Sequence, residues 1–127
     1  MKSIIFNHSF TEQLKSGDKI QTTRRVDKDI YEGEIFMGVD EDLNFIGWFR
    51  CNEILFIDLD QFYLSINAKD GFKGKYSAVS ETALEFARQD GFNSYSDFVN
   101  KIYEIYGKIN DTFKVIRFEL IGGETAK

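Results

Sequence analysis

Apolar residues recur along this chain with two different periods, and the points where the period changes mark out its elements. Ile4-Ile5-Phe6 is a short apolar run that predicts a buried strand. From Ser9 the spacing lengthens. Phe10 and Leu14 lie four apart, as on one side of a two-turn helix, and Gly17 supplies the stop. Lys19 to Val26, rich in threonine and carrying two arginines, reads as extended. Glu34 to Val39 and Phe45 to Leu59 read as strands joined by a polar turn, Asp40-Glu41-Asp42-Leu43-Asn44. The second run is long for one strand, which predicts a bulge or bend near Gly47 or Asn52. Gln61 to Tyr76 shows no clear period and reads as a loop or short irregular element around Asp70-Gly71-Phe72.

Helical spacing then returns. Ser80 is placed as an N-cap, with Val79 and Leu84 as a hydrophobic staple, for a helix that runs to Gln89 or Asp90 and ends at Gly91. Ser94 caps a second helix that is expected to bury Phe98, Ile102 and Ile105 and to stop at Gly107. Thr112 to Ile121 alternates, with Ile116, Phe118 and Leu120 on one face and Val115, Arg117 and Glu119 on the other. The order β-α-β-β-β-α-α-β predicts an α+β fold: a small mixed β-barrel or curled sheet with about three helices packed at its ends. No linker, repeat or low-complexity run interrupts it, so residues 1–127 read as a single domain.

Composition narrows the function. Nineteen of the 127 residues are Phe or Tyr (13 and 6), which predicts a core of packed rings. Trp48 and Phe49 belong to that expected core, with base stacking as the other use of such rings. One cysteine, Cys51, excludes an internal disulfide and suits a reducing compartment. The opening apolar run is too brief for a signal peptide, and Ile54-Leu55-Phe56-Ile57 is far too short to span a bilayer, so a cytoplasmic protein is expected. Net charge is −5, which argues against a generic nucleic-acid coat. Yet residues 1–28 carry +3, residues 29–68 carry −8 and the remainder is balanced, so a cationic site near the N-terminus survives in an acidic protein.

No metal site is expected. His8 and Cys51 are the only residues of their kinds. Asp40-x-Asp42-x-Asn44 imitates a calcium loop but has Phe45 where glycine and Cys51 where glutamate are needed. Nucleophile-elbow, Walker and dinucleotide fingerprints are absent, and no cofactor is implied. The segment that stands out is Gly17-x-Lys19-x-x-Thr22-x-Arg24-Arg25: a helix stop, then a cation, a hydroxyl and two guanidinium groups on extended chain. Charges on an edge strand discourage wrong pairing. The same residues also make an edge for recognising an anion or a base, with planar donors from Arg24 and Arg25.

These residues resemble the signature G-x-K-x-x-T-x-R of the ASCH family, small PUA-like barrel domains. The resemblance extends through the opening strand and helix, the strand pair from Gly33 to Ile57, Ala87-Arg88-Gln89-Asp90-Gly91-Phe92, the helix after Ser94 and the closing strand. It implies a cleft for RNA, a nucleotide or a modified nucleoside. Some small ASCH proteins hydrolyse the N4-acetyl amide of N4-acetylcytidine with a Lys, a Thr and a Glu. Lys19 and Thr22 match the first two, and the acid falls at Asp90, one methylene shorter. Arg24, within the signature, and its neighbour Arg25, at the periphery, are the candidate ligand-binding residues. A non-catalytic module for RNA or a protein partner, using the same basic edge, is the alternative. Two physical difficulties accompany the catalytic reading. Asp90 and Arg24 pull the Lys19 titration in opposite directions, and a regular strand would point Lys19 away from the face that Thr22 and Arg24 share.

Overall fold

The computed structural model describes residues 2–58, 63–68, 71–72, 76–77, 83–107 and 112–122, with backbone only between 58 and 83. The expected N-cap at Ser80 and the Val79 side of the staple lie outside these residues. The apolar run after Met1 forms β1 (Ser3–Ile5), followed by a 3-10 turn (His8–Phe10) and α1 (Thr11–Ser16). Asn7 caps the turn by accepting the Ser9 N–H. Next come β2 (Gln21–Arg25), β3 (Ile35–Val39), β4 (Phe45–Asp58), β5 (Tyr63–Ala68), β6 (Gly71–Phe72) and β7 (Tyr76–Ser77). The chain continues with α2 (Ala83–Gln89), α3 (Tyr95–Tyr106) and β8 (Thr112–Gly122). The expected loop at Gln61–Tyr76 is therefore corrected in part, because β5 pairs antiparallel with the end of β4. Residues 63–68 lack a legible period, and their strand is decided by that neighbour.

β4 is the spine of the sheet. Its first half pairs with β3 and its last four residues with β5, while β8 runs antiparallel along the other side. The β4–β8 register shifts between Trp48 and Phe49 and again between Cys51 and Glu53, near the two places expected from strand length. An extra residue on one strand bends it and strengthens its twist, and the sheet curls. Among the described residues β1 pairs only with β3, in parallel, and β2 only with β8. The curl brings these two edges toward each other, and side chains rather than a ladder bridge them. Arg24 Nη2 donates to Ile5 O at 2.9 Å and Lys28 Nζ to Ser3 O at 3.2 Å. The result is an α+β fold, a curled half-barrel with three helices, consistent with a small PUA-like barrel.

Two apolar clusters lie on either side of β8. Ile116 and Phe118 join Ile4, Phe6, Phe36 and Phe49 inside the curl. Phe113 and Val115 pack outward against Phe86, Phe98 and Ile102 of α2 and α3. The expected one-sided alternation of β8 is thus corrected: Val115 and Ile116 are both fully buried, because helices cover the face that a half-solvated strand would expose. Ile105 is corrected in the other direction. It is 57% exposed and stands on the rim of the cleft described below, where no element among the described residues covers it.

The ring-rich core has a tight spot. Gly38 lies so near Phe49 that a Cβ on residue 38 would sit 2.6 Å from the Phe49 ring, with Phe6 close behind. Gly38→Ala overpacks this contact and is expected to cost about 1–3 kcal/mol, measured as a lower urea midpoint with unchanged slope.

Candidate functional site

Gly17 takes the left-handed conformation (φ 86°) and ends α1, and the chain is still turning when it reaches Lys19. The Lys19 N–H donates to Gln13 O, and the Ile20 N–H donates to Gln89 O at the end of α2. β2 begins only at Gln21, so Lys19 is not bound by its alternation. Its side chain turns inward and is 2% exposed, with the ammonium 4.4 Å from the Phe10 ring centroid and 5.9 Å from that of Phe6.

Nζ of Lys19 donates to the main-chain carbonyl of Asp90 and, at 3.2 Å, to Asp90 Oδ1. Asp90 sits just past α2, held by N–H bonds to Phe86 O and Ala87 O. The loss of one methylene relative to glutamate does not keep it from Lys19, because both its carbonyl and its carboxylate meet the amine. Asp90 Oδ2 accepts from Thr23 Oγ1 at 2.8 Å and from Gln21 Nε2 at 3.1 Å. Gln21 Oε1 in turn accepts from Arg117 Nε at 3.0 Å. Alternation along β2 sets this division. Gln21 and Thr23 reach Asp90, while Thr22 and Arg24 form their own pair, Arg24 Nε donating to Thr22 Oγ1 at 3.0 Å.

A cleft of about 290 Å³ opens over these groups and is lined by Lys19, Thr22, Thr23, Arg24 and Asp90, with Phe6, Phe10 and Phe92 as walls. Four of the five residues singled out from the sequence therefore meet at one cavity. Among the described residues no hydrogen bond joins Thr22 to Lys19 or Asp90. Arg25 lies outside the cleft, because alternation turns it from Arg24; it is exposed, with its guanidinium 5.9 Å from the Tyr106 ring centroid. Thr23, Gln21 and the aromatic walls were not singled out. The Thr22-Thr23 doublet marks a hydroxyl on each face without saying which face meets Asp90.

The two opposing influences on Lys19 resolve in one direction. Burial pulls its titration well below 10.5, outweighing the attraction and hydrogen bond of Asp90, and the nearby Arg24 charge adds a smaller push the same way. Arg24 is likewise lowered by burial, chiefly opposed by Tyr106 and Asp90. For a lysine with a depressed folded value, the unfolded chain binds the extra proton between that value and 10.5, so stability rises with pH across the window. Compared at a series of pH values by urea denaturation, the wild type should gain on Lys19→Met as pH climbs toward that limit. A flat difference would reject it. Lys28 and Lys114, also lowered mainly by burial, act alike in both proteins and cancel.

Other chemistry-bearing groups are accounted for separately. Burial pushes the Cys51 thiol up to about 11, so it is protonated and unreactive near neutrality. The fold brings His8 beside Asp40 and Asp42, a grouping that no sequence spacing signals. The Asp40 carboxylate there is engaged by the N–H groups of Asp42 and Asn44. Trp48 is half-buried against Phe45, and Phe49 is core. No helix among the described residues is long and apolar enough to cross a membrane.

No protein-family model matches the chain, and a search of curated proteins returned no match. Among solved structures it is similar to the crystal structure of protein EF3133 from Enterococcus faecalis V583, described by the family model DUF984. The likeness covers 97% of this chain and 77% of that one at 11% identity, with a TM-score of 0.64. At that identity the likeness establishes a shared fold.

Proposed function

We propose that the cleft is an ASCH-type site for a modified nucleoside and that Lys19, Thr22 and Asp90 hydrolyse an N4-acyl amide on a bound cytidine. The observation that carries this reading is the burial of the Lys19 amine against Asp90 in the same cleft as the Thr22 hydroxyl and the Arg24 guanidinium. Burial biases Lys19 toward the neutral amine that a general base requires. Thr22 Oγ then attacks the acyl carbon as Lys19 takes its proton, and Arg24 donates to the developing oxyanion. The C–N4 bond breaks, and the proton passes from Lys19 to the leaving amine. Water attacks the acyl-threonine ester, giving the carboxylic acid and restoring the hydroxyl. Asp90 holds the amine throughout.

A binding-only reading is favoured by one specific contact. The Thr22 hydroxyl is engaged by Arg24 rather than by the base, although catalytic hydrogen bonds often tighten only with substrate present. In that reading Arg24 and Lys19 hold an RNA, nucleotide or nucleoside without breaking a bond, and the −5 charge favours a small ligand or a defined RNA element. Incubation with N4-acetylcytidine separates the two. Hydrolysis releases cytidine and acetate, and Thr22→Ala should lower the rate by roughly a hundredfold or more. No release, with salt-dependent binding of short RNAs, would support the module; release that survives in Thr22→Ala would reject the nucleophile.

A further inference from the structure

Beside the cleft lies a second, shallower groove of about 300 Å³, and the two share Asn7, Phe10, Phe92 and Lys101. The shared wall is the edge-to-face pair of Phe10 and Phe92, with ring centroids 5.5 Å apart. Gly91 makes that wall possible: with φ 99°, a Cβ there would strike the Phe10 ring at 2.7 Å.

The two lobes differ in chemistry. The first presents ions and aromatic faces. The second is lined by hydroxyl, amide and carboxylate groups, including Ser9, Asn93 and Asp97. Asn93 and Asp97 are exposed, and among the described residues their side-chain polar atoms are uncommitted. Asn7 Oδ1 is engaged by Ser9, which leaves its NH₂ group to donate. The one cation of the groove among the described residues, Lys101, is 3.1 Å from Glu104. A groove with its cation paired and a carboxylate beside it disfavours a phosphate and suits a neutral group rich in hydroxyls, which both donates to Asp97 and accepts from the amides.

We propose that this groove is the sugar subsite of the ligand in the cleft, an inference that rests on the nucleoside reading above. The base lies against the Phe10 ring beside Lys19, and the ribose passes the Phe10–Phe92 edge so that its hydroxyls meet Asn93 and Asp97.

The test uses N4-methylcytosine and N4-methylcytidine, which carry no hydrolysable amide, titrated into the full chain while backbone amide shifts are followed by NMR. The nucleoside should bind roughly five- to tenfold more tightly than the base, the return on one or two added hydrogen bonds. Amides of residues 93–97 should shift with the nucleoside and stay still with the base. Asn93→Ala and Asp97→Ala should each remove most of that preference and leave affinity for the base unchanged. Equal affinity for both probes, with residues 93–97 silent, would overturn the sugar subsite alone. Failure of both probes to bind would overturn the nucleoside reading and this inference with it.

Discussion

Asp90→Ala is expected to destabilise the protein by about 3–5 kcal/mol, the cost of leaving a buried ammonium without its counter-charge. Lys19 is 2% exposed and Asp90 3%, so little water reaches the amine to replace the lost partner. The mutation also removes the acceptor of Thr23 Oγ1 and Gln21 Nε2, two further buried donors. The size of the effect should depend on pH. Without Asp90 to hold its proton, Lys19 escapes the penalty by becoming neutral, so the deficit should shrink as pH rises. The control is Lys19→Met with Asp90→Asn, which removes both charges while an amide oxygen still serves Thr23. That pair should recover most of the stability, as replaced ion pairs often do, and have no activity on N4-acetylcytidine. Denaturant unfolding of the wild type, Lys19→Met, Asp90→Asn and the double variant closes the cycle and gives the coupling directly. Additive losses would show that the pair is not energetically coupled.

Phe49→Ala should cost about as much, about 3–5 kcal/mol, for a different reason. The ring is completely buried and serves as the hub of the inner cluster. It stacks on Phe36 at 5.5 Å with 17° between planes and meets Phe118 edge-on at 5.1 Å and Phe6 at 6.2 Å. Truncation opens a cavity that neighbouring strands are too constrained to close. Gly38 supplies an internal check, because the atoms a Cβ there would strike belong to this ring. In the Phe49→Ala background, Gly38→Ala should therefore lose its own penalty and become close to neutral. A full penalty for Gly38→Ala in that background would locate the clash elsewhere.

Much of this architecture is legible in the residue pattern. Gly17, Gly91 and Gly107 each end a helix where expected, and Ser94 caps α3 through its hydroxyl to the Asp97 N–H. The bulge in β4 was predictable because the apolar run exceeds what one straight strand holds. Lys19, Thr22 and Arg24 were legible as a cluster, while Asp90 was reached only through the resemblance to the ASCH family. Strand periodicity misled at one point. It made β8 one-sided, because period two reports a difference between faces and fails when helices cover the second one. For Lys19 it pointed the right way: the amine meets Asp90 alongside Gln21 and Thr23, while Thr22 pairs with Arg24 on the other face.

What the sequence determined by itself is local: where helices start and stop, which runs alternate, and which short segment gathers cations and a hydroxyl. These depend on backbone conformation and near neighbours, and glycine or a capping serine settles them within one turn. Which hydroxyl meets Asp90 was decided only in three dimensions, because α2 ends over the face of β2 that carries Thr23 and Gln21. The closure of the seam by Arg24 and Lys28 is equally non-local, as is the depth of Lys19. Burial is the quantity that pulls the amine's titration downward, and it is a property of everything packed around Lys19.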